Sequence, residues 1–292
     1  MRKQNLLSIF FFAIVIALFV RIGALAQAGS GGKQMNKDEL YFSIGRRINA
    51  LNDSPVSAIV SELDTVIEVT NLTMRPDGKA EVTVKEREGS SAAYTNKSIR
   101  LLFTPPAEGD KDEKWTWEQF EDNRKFYAVD KLFPYAQGEL GKRKQTTTAS
   151  WTAFIGAINK QGEAASKVLE TAKAILKADP APLAAVKSAR TALGEAMKEN
   201  KTDDVLNAYR ELNQQTEPVT TLGDSQTDLK ANDAYLRLID EFKNSINATN
   251  AARKNYLQTV AAYNEAILRL PFSLVAYGLQ FHKIEASISE DQ

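Results

Sequence analysis

The chain has 292 residues, with 37 basic and 37 acidic side chains, 43% hydrophobic residues and 25% charged ones. That composition is ordinary for a folded protein, and it leaves no excess of positive charge for meeting phosphates, so no nucleic acid is expected as a partner. Cysteine is absent, which removes disulfides, thiolate metal sites, a cysteine nucleophile and a lipidated-cysteine anchor.

Residues 1–28 read as a signal peptide. Arg2 and Lys3 give a basic start, residues 6–20 are apolar except Ser8, and Ala24-Leu25-Ala26 and Ala26-Gln27-Ala28 both fit a small-x-small cleavage site. The run is shorter than the ~20 residues a spanning helix needs, and Arg21 ends it. A retained signal anchor, with residues 22–28 extending the span past Arg21, is the alternative. Either reading puts the chain outside the cytoplasm, in the periplasm or on the outer surface of a membrane. Residues 29–36 begin Gly29-Ser30-Gly31-Gly32 and read as a linker.

Residues 37–137 read as a small α+β domain. Leu40, Tyr41, Ile44 and Ile48 have helical spacing, and Asn52-Asp53-Ser54-Pro55 breaks that helix and caps a second over 56–63. The period then changes to two. Strands are expected over 65–74 and 80–87, joined by the turn Arg75-Pro76-Asp77-Gly78-Lys79, and again over 97–104 and 115–120. Two short helices and a four-stranded antiparallel meander are similar in pattern, without any shared motif, to cystatin-like or nuclear-transport-factor-2-like sheets. Residues 138–148 contain Gly138, Gly141, Lys142-Arg143-Lys144 and three threonines, and read as an interdomain linker.

Beyond it the strand signal disappears. Helices are expected over 149–177, 183–199 and 203–215, followed by a long one over 231–269 of roughly 58 Å. Its stripe runs through Tyr235, Ile239, Phe242, Ile246, Tyr256, Val260, Tyr263, Ile267 and Leu270, with Thr249 and Arg253 polar on the same phase. Asp228 is the expected N-cap, and Pro271 ends the helix. Helices joined by short loops imply an antiparallel bundle.

Leu229-Lys230-Ala231-Asn232 followed by Tyr235 and Leu238, and then Arg253, Tyr256, Val260, Tyr263-Asn264, Ile267, Pro271 and Leu274-Val275-Ala276, resemble the last long helix of the LemA family. The resemblance is strongest over 228–292 and weaker over 150–227, and none is recognised over 36–145. The chain is a divergent member by this measure, with Leu257 and Leu270 where the family pattern has Asn and Phe. The resemblance implies an elongated antiparallel bundle over 149–276, outside the cytoplasm and near or in a membrane, with no established catalysis. Residues 277–292 form a C-terminal tail, rich in apolar residues up to Ile284.

Few residues invite a catalytic reading. His282 is the lone histidine and reads as a surface residue, so no catalytic triad has its base. Gly138 to Lys142 lacks the Ser or Thr of a phosphate loop, because Arg143 follows. Glu118 and Glu121 lie three apart on one strand, are expected on opposite faces and read as solvated charges. Trp115 and Trp117 read as sheet core. No catalytic, cofactor-binding or metal-binding residue is assigned, and no cofactor is expected. The expectation is a non-enzymatic envelope scaffold or adaptor whose partner is an envelope protein or a membrane surface. The alternative is a module binding a ligand or peptide in a cupped N-terminal sheet.

Overall fold

The computed structural model describes residues 34–52, 55–87, 97–109, 111, 114–199 and 201–285. The expected signal peptide lies outside the described residues, as does most of the 29–36 linker. Helix α1 (Lys37–Asn52) begins where the Asn36 carboxamide accepts the Glu39 amide at 2.8 Å, and α2 (Val56–Val66) follows Pro55. The sheet is an antiparallel meander in chain order: β1 (Ile67–Met74), β2 (Ala80–Glu86), β3 (Ser98–Thr104), β4 (Thr116–Asp122) and β5 (Lys125–Ala128). The β1–β2 turn follows the sequence, with Gly78 at φ +78° where a side chain would be strained.

Five strands replace the four expected. The fifth, Lys125–Ala128, has one half-buried residue and no alternation, so its sequence carries no strand signal. The sheet's inner face is Ala80, Val82, Val84, Ile99, Leu101, Phe103, Trp115 and Trp117, all buried, and Trp115 and Trp117 are core as expected. α1 and the start of the C-terminal tail cover that face.

The expected linker at 138–148 is not a linker. It lies inside α3 (Leu132–Leu176), a single helix of 45 residues, or ~68 Å. Gly138 and Gly141 have open space around them, and the hydroxyls of Thr146, Thr147 and Thr148 bond back to the carbonyls of Lys142, Arg143 and Lys144. Helices α4 (Leu183–Glu199) and α5 (Thr202–Thr216) match expectation closely. A single turn, α6 (Thr227–Lys230), precedes α7 (Asp233–Leu268), which has 36 residues and spans ~54 Å. The cap of α7 is Asn232, whose carboxamide accepts the Tyr235 amide at 2.9 Å, and not Asp228, which lies within α6. No helix among the described residues is long and apolar enough to cross a membrane.

Helices α3 and α7 run antiparallel, and the pair passes through two separate cores. The first core holds the sheet, α1, α2, the start of α3 as far as Leu140, the end of α7 from Tyr263, and tail residues to Ala276. The second holds α3 from Phe154, α4, α5 and α7 as far as Val260. Residues 263–276, expected to end the bundle, therefore pack in the sheet lobe. Between the cores lies a waist of hydroxyl groups. Thr147 Oγ1 donates to the Thr259 carbonyl at 3.2 Å, and Ser150 Oγ lies 2.6 Å from Thr259 Oγ1. Thr249, polar on the apolar phase of α7, is fully buried and donates to the Ala157 carbonyl of α3 at 3.1 Å. A buried hydroxyl is tolerated here because the facing helix accepts its proton.

Candidate functional site

Past α7 the chain turns sharply and runs back over the sheet lobe. Leu270 is held by its main chain from both sides. The Glu86 carboxylate accepts its amide at 3.1 Å, and Lys97 Nζ donates to its carbonyl at 2.9 Å. Glu86 is fully buried at the end of β2, on the same face as Val82 and Val84. Leu274, Val275 and Ala276 follow, all buried. Gly278 lies so close to α1 that a Cβ there would sit 1.8 Å from Ile48 Cγ2. Only a residue without a side chain lets the tail pass.

After Gln280 the tail becomes a strap, residues 281–285, lying along the end of α7. Tyr263 Oη donates to the His282 carbonyl at 3.0 Å. Asn264 grips Ile284 twice: Nδ2 donates to its carbonyl at 2.9 Å, and Oδ1 accepts its amide at 2.9 Å. Ile284 is half-buried and packs against both cores, bridging the waist. His282 is exposed, as expected, with its ring edge-on to Tyr277 at 5.2 Å. Burial pushes the Tyr263 phenol up.

Beneath the strap is a cavity of about 310 Å³, lined by Glu62 and Thr65 of α2, Ser273, Tyr277, His282 and Lys283, among others. Ser273 is 4% exposed, and its hydroxyl has no partner among the described residues. A second cavity of about 270 Å³ lies between α3 and α7, near Lys142, Arg143, Thr259 and Tyr263. The Gly138 to Lys142 segment is helical and forms no phosphate loop.

The carboxylates of β4 are not on opposite faces. The β3–β4 register shifts at Glu118, where β4 carries an extra residue, and this bulge turns Glu118 to the outer face with Glu121. Each has its own cation. Glu118 accepts from Lys79 at 2.8 Å, and Glu121 takes both Nε and Nη2 of Arg100, at 2.8 and 2.9 Å. Arg100 also meets Glu81 at 3.1 Å and lies over the Phe126 ring. The Lys79 and Arg100 contacts hold the two carboxyls below their ordinary range. Paired with separate cations, they are structural charges on the sheet surface. Among the described residues no group of three or more His, Cys, Asp or Glu side chains could hold a metal ion.

Glu86, Lys97 and Asn264 escape a reading of the sequence because their partners are main-chain atoms far along the chain. One signal was available: alternation from Ala80 places the Glu86 carboxylate on the apolar face of β2, where a charge needs a specific partner.

No curated protein and no solved structure matches the chain. The model of the LemA family matches residues 151–291, which takes in the α3, α4 and α5 region, where the resemblance is weaker, together with α7, the tail and the strap. Over that span, from the second half of α3 to the strap, the chain is similar to the LemA family.

Proposed function

We propose that this chain is an exported, non-enzymatic protein of the cell envelope, acting as a scaffold or adaptor through its helical bundle. The observation that carries the reading is the helix pair common to both lobes. Because α3 and α7 pass through both cores, the bundle is held at a fixed distance from the sheet lobe. A continuous helical pair keeps its length where a flexible linker would not, and fixed spacing is what an adaptor supplies. The apolar run at 6–20 and the small-x-small triplets after it support export to the periplasm or the outer surface of a membrane. Retention as an N-terminal anchor is the alternative. The partner expected is an envelope protein or a membrane surface.

Crosslinking in cells tests the reading. Capture of an envelope protein through the bundle helices is the expected result, and fractionation should recover the chain outside the cytoplasm. Turnover of an envelope polymer by the purified protein, surviving mutations that disrupt the bundle, would overturn it. The competing reading, a ligand cupped by the N-terminal sheet, has less support. The sheet's inner face is filled by α1 and the tail, and the larger cavity opens between α2 and the strap instead.

A further inference from the structure

We infer that the surface under residues 281–285 is a recognition site for an extended polypeptide, and that the chain's own strap is its resident, exchangeable occupant. The inference deepens the adaptor reading and rests on it for its use in the cell. Three hydrogen bonds hold the strap to α7, and all three go to its main chain: Tyr263 to His282, and Asn264 twice to Ile284. An amide side chain that both donates to and accepts from one residue's backbone offers what a neighbouring strand would offer. Such a grip is indifferent to sequence. Selection comes from the Ile284 side chain, which packs where the two cores meet.

The strap is also the part of the tail built to leave. Leu270, Leu274, Val275 and Ala276 are buried, while His282, Lys283 and Glu285 are exposed, and Phe281 and Ile284 are half-buried. A segment with few buried contacts opens locally while its anchor stays folded. Ser273 also lines the cavity beneath. Glu62 lines that cavity together with Lys283. The site therefore suits an extended segment with an aliphatic residue at the position of Ile284.

The test uses the full chain and a fluorescein-labelled peptide carrying residues 279–292. Ile284→Asp puts a charge at the meeting of the cores and releases the strap, which rapid hydrogen exchange at the residue 284 amide would register. This variant should bind the peptide at least tenfold more tightly than the unaltered chain, whose strap competes. Adding Asn264→Ala should remove that gain, and a peptide with Asp at the Ile284 position should not bind. A folded, strap-released variant that binds no more tightly, or binding indifferent to Asn264→Ala, would overturn the inference. So would global unfolding of both Ile284→Asp and a chain ending at Gln280, because the strap would then be part of the core. Peptide binding without an envelope protein captured in cells would keep the site and remove the adaptor role. Capture through the bundle with no peptide binding would do the reverse.

Discussion

The two lobes are closed in different ways. The bundle lobe draws its core from one run of chain, Phe154 to Val260, with the first and last helices of that run, α3 and α7, packed on each other. The sheet lobe draws on both ends, from Met35 to Leu140 and again from Tyr263 to Ala276. The bundle is thus a unit inserted into the sheet lobe's sequence, and the α3–α7 pair is both its wall and its connection. The difference teaches that a boundary in composition need not be a boundary in packing. The Gly- and Thr-bearing segment at 138–148 looks like a joint but lies in the most continuous element of the molecule.

Ending the chain at Arg269 should separate the lobes most sharply. It removes Leu270, Leu274 and Val275 from the sheet core, at about 1.5–3 kcal/mol each, a loss comparable with a typical total stability of roughly 5–15 kcal/mol. The near-ultraviolet signal of Trp115 and Trp117 should collapse while the far-ultraviolet helical signal of the bundle persists. Cooperative melting of the sheet lobe in this variant would break the comparison.

Ile267 and Val260 sharpen it. They lie two turns apart on α7 and are both buried, yet Ile267 belongs to the sheet core and Val260 to the bundle core. Ile267→Ala should cost about 3 kcal/mol and Val260→Ala about 2 kcal/mol, from lost transfer energy and the cavities left behind. Hydrogen exchange should report the first loss in β2 and β3 and the second in α5. Loosening of the sheet by Val260→Ala would mean the waist does not separate the cores.

Gly278→Ala probes the crossing of the tail over α1. The added methyl meets Ile48, which is fully buried and has nowhere to retreat. The cost expected from overpacking is about 1–3 kcal/mol by denaturant melts, confined to the sheet lobe. A neutral result would mean the tail lifts freely from α1.

The smallest effect concerns Glu121. Its folded pKa lies below the ordinary glutamate value of 4.5 because of Arg100. The ion pair therefore stabilises the fold at pH above 4.5, and that contribution fades as pH falls through the lower, folded value. Arg100 is 41% exposed, so the contribution is about 0.5 kcal/mol or less. Thermal melts from pH 7 to pH 3 should show a slightly shallower loss for Glu121→Gln than for the unaltered chain. Identical slopes would assign the acid sensitivity to other carboxylates.

Much of this fold could be read from residues alone. β2 alternates cleanly and its bounds fall within a residue of expectation, and α4 matches residue for residue. The failures have physical causes. In α3 the weak helix formers at 138–148 are outvoted by packing against α7, and the threonine hydroxyls bond back to carbonyls of the helix, Thr147 reaching Thr259 of α7 as well. Leu132, Phe133, Ala136 and Leu140 already carried helical spacing into that segment, a signal outweighed by its glycines. The bulge at Glu118 could not be foreseen from β4, since it is a property of pairing with β3. The strap site was the least legible part. The sequence marks Tyr263-Asn264 as a motif, but what those side chains hold is the backbone near residue 284, and main-chain partners leave no trace in side-chain pattern.

The late closure of the sheet lobe bears on how the protein is made. Residues 35–140 are synthesised well before the surface that seals them, 263–276. Until then strands can pair, but the apolar inner face around Val82, Leu101 and Phe103 lacks part of its cover, so the lobe cannot finish folding before that segment is made. If the chain is exported as proposed, this delay is useful during passage through a narrow pore. A sheet lobe that locks only when its sealing segment arrives stays incompletely packed until then.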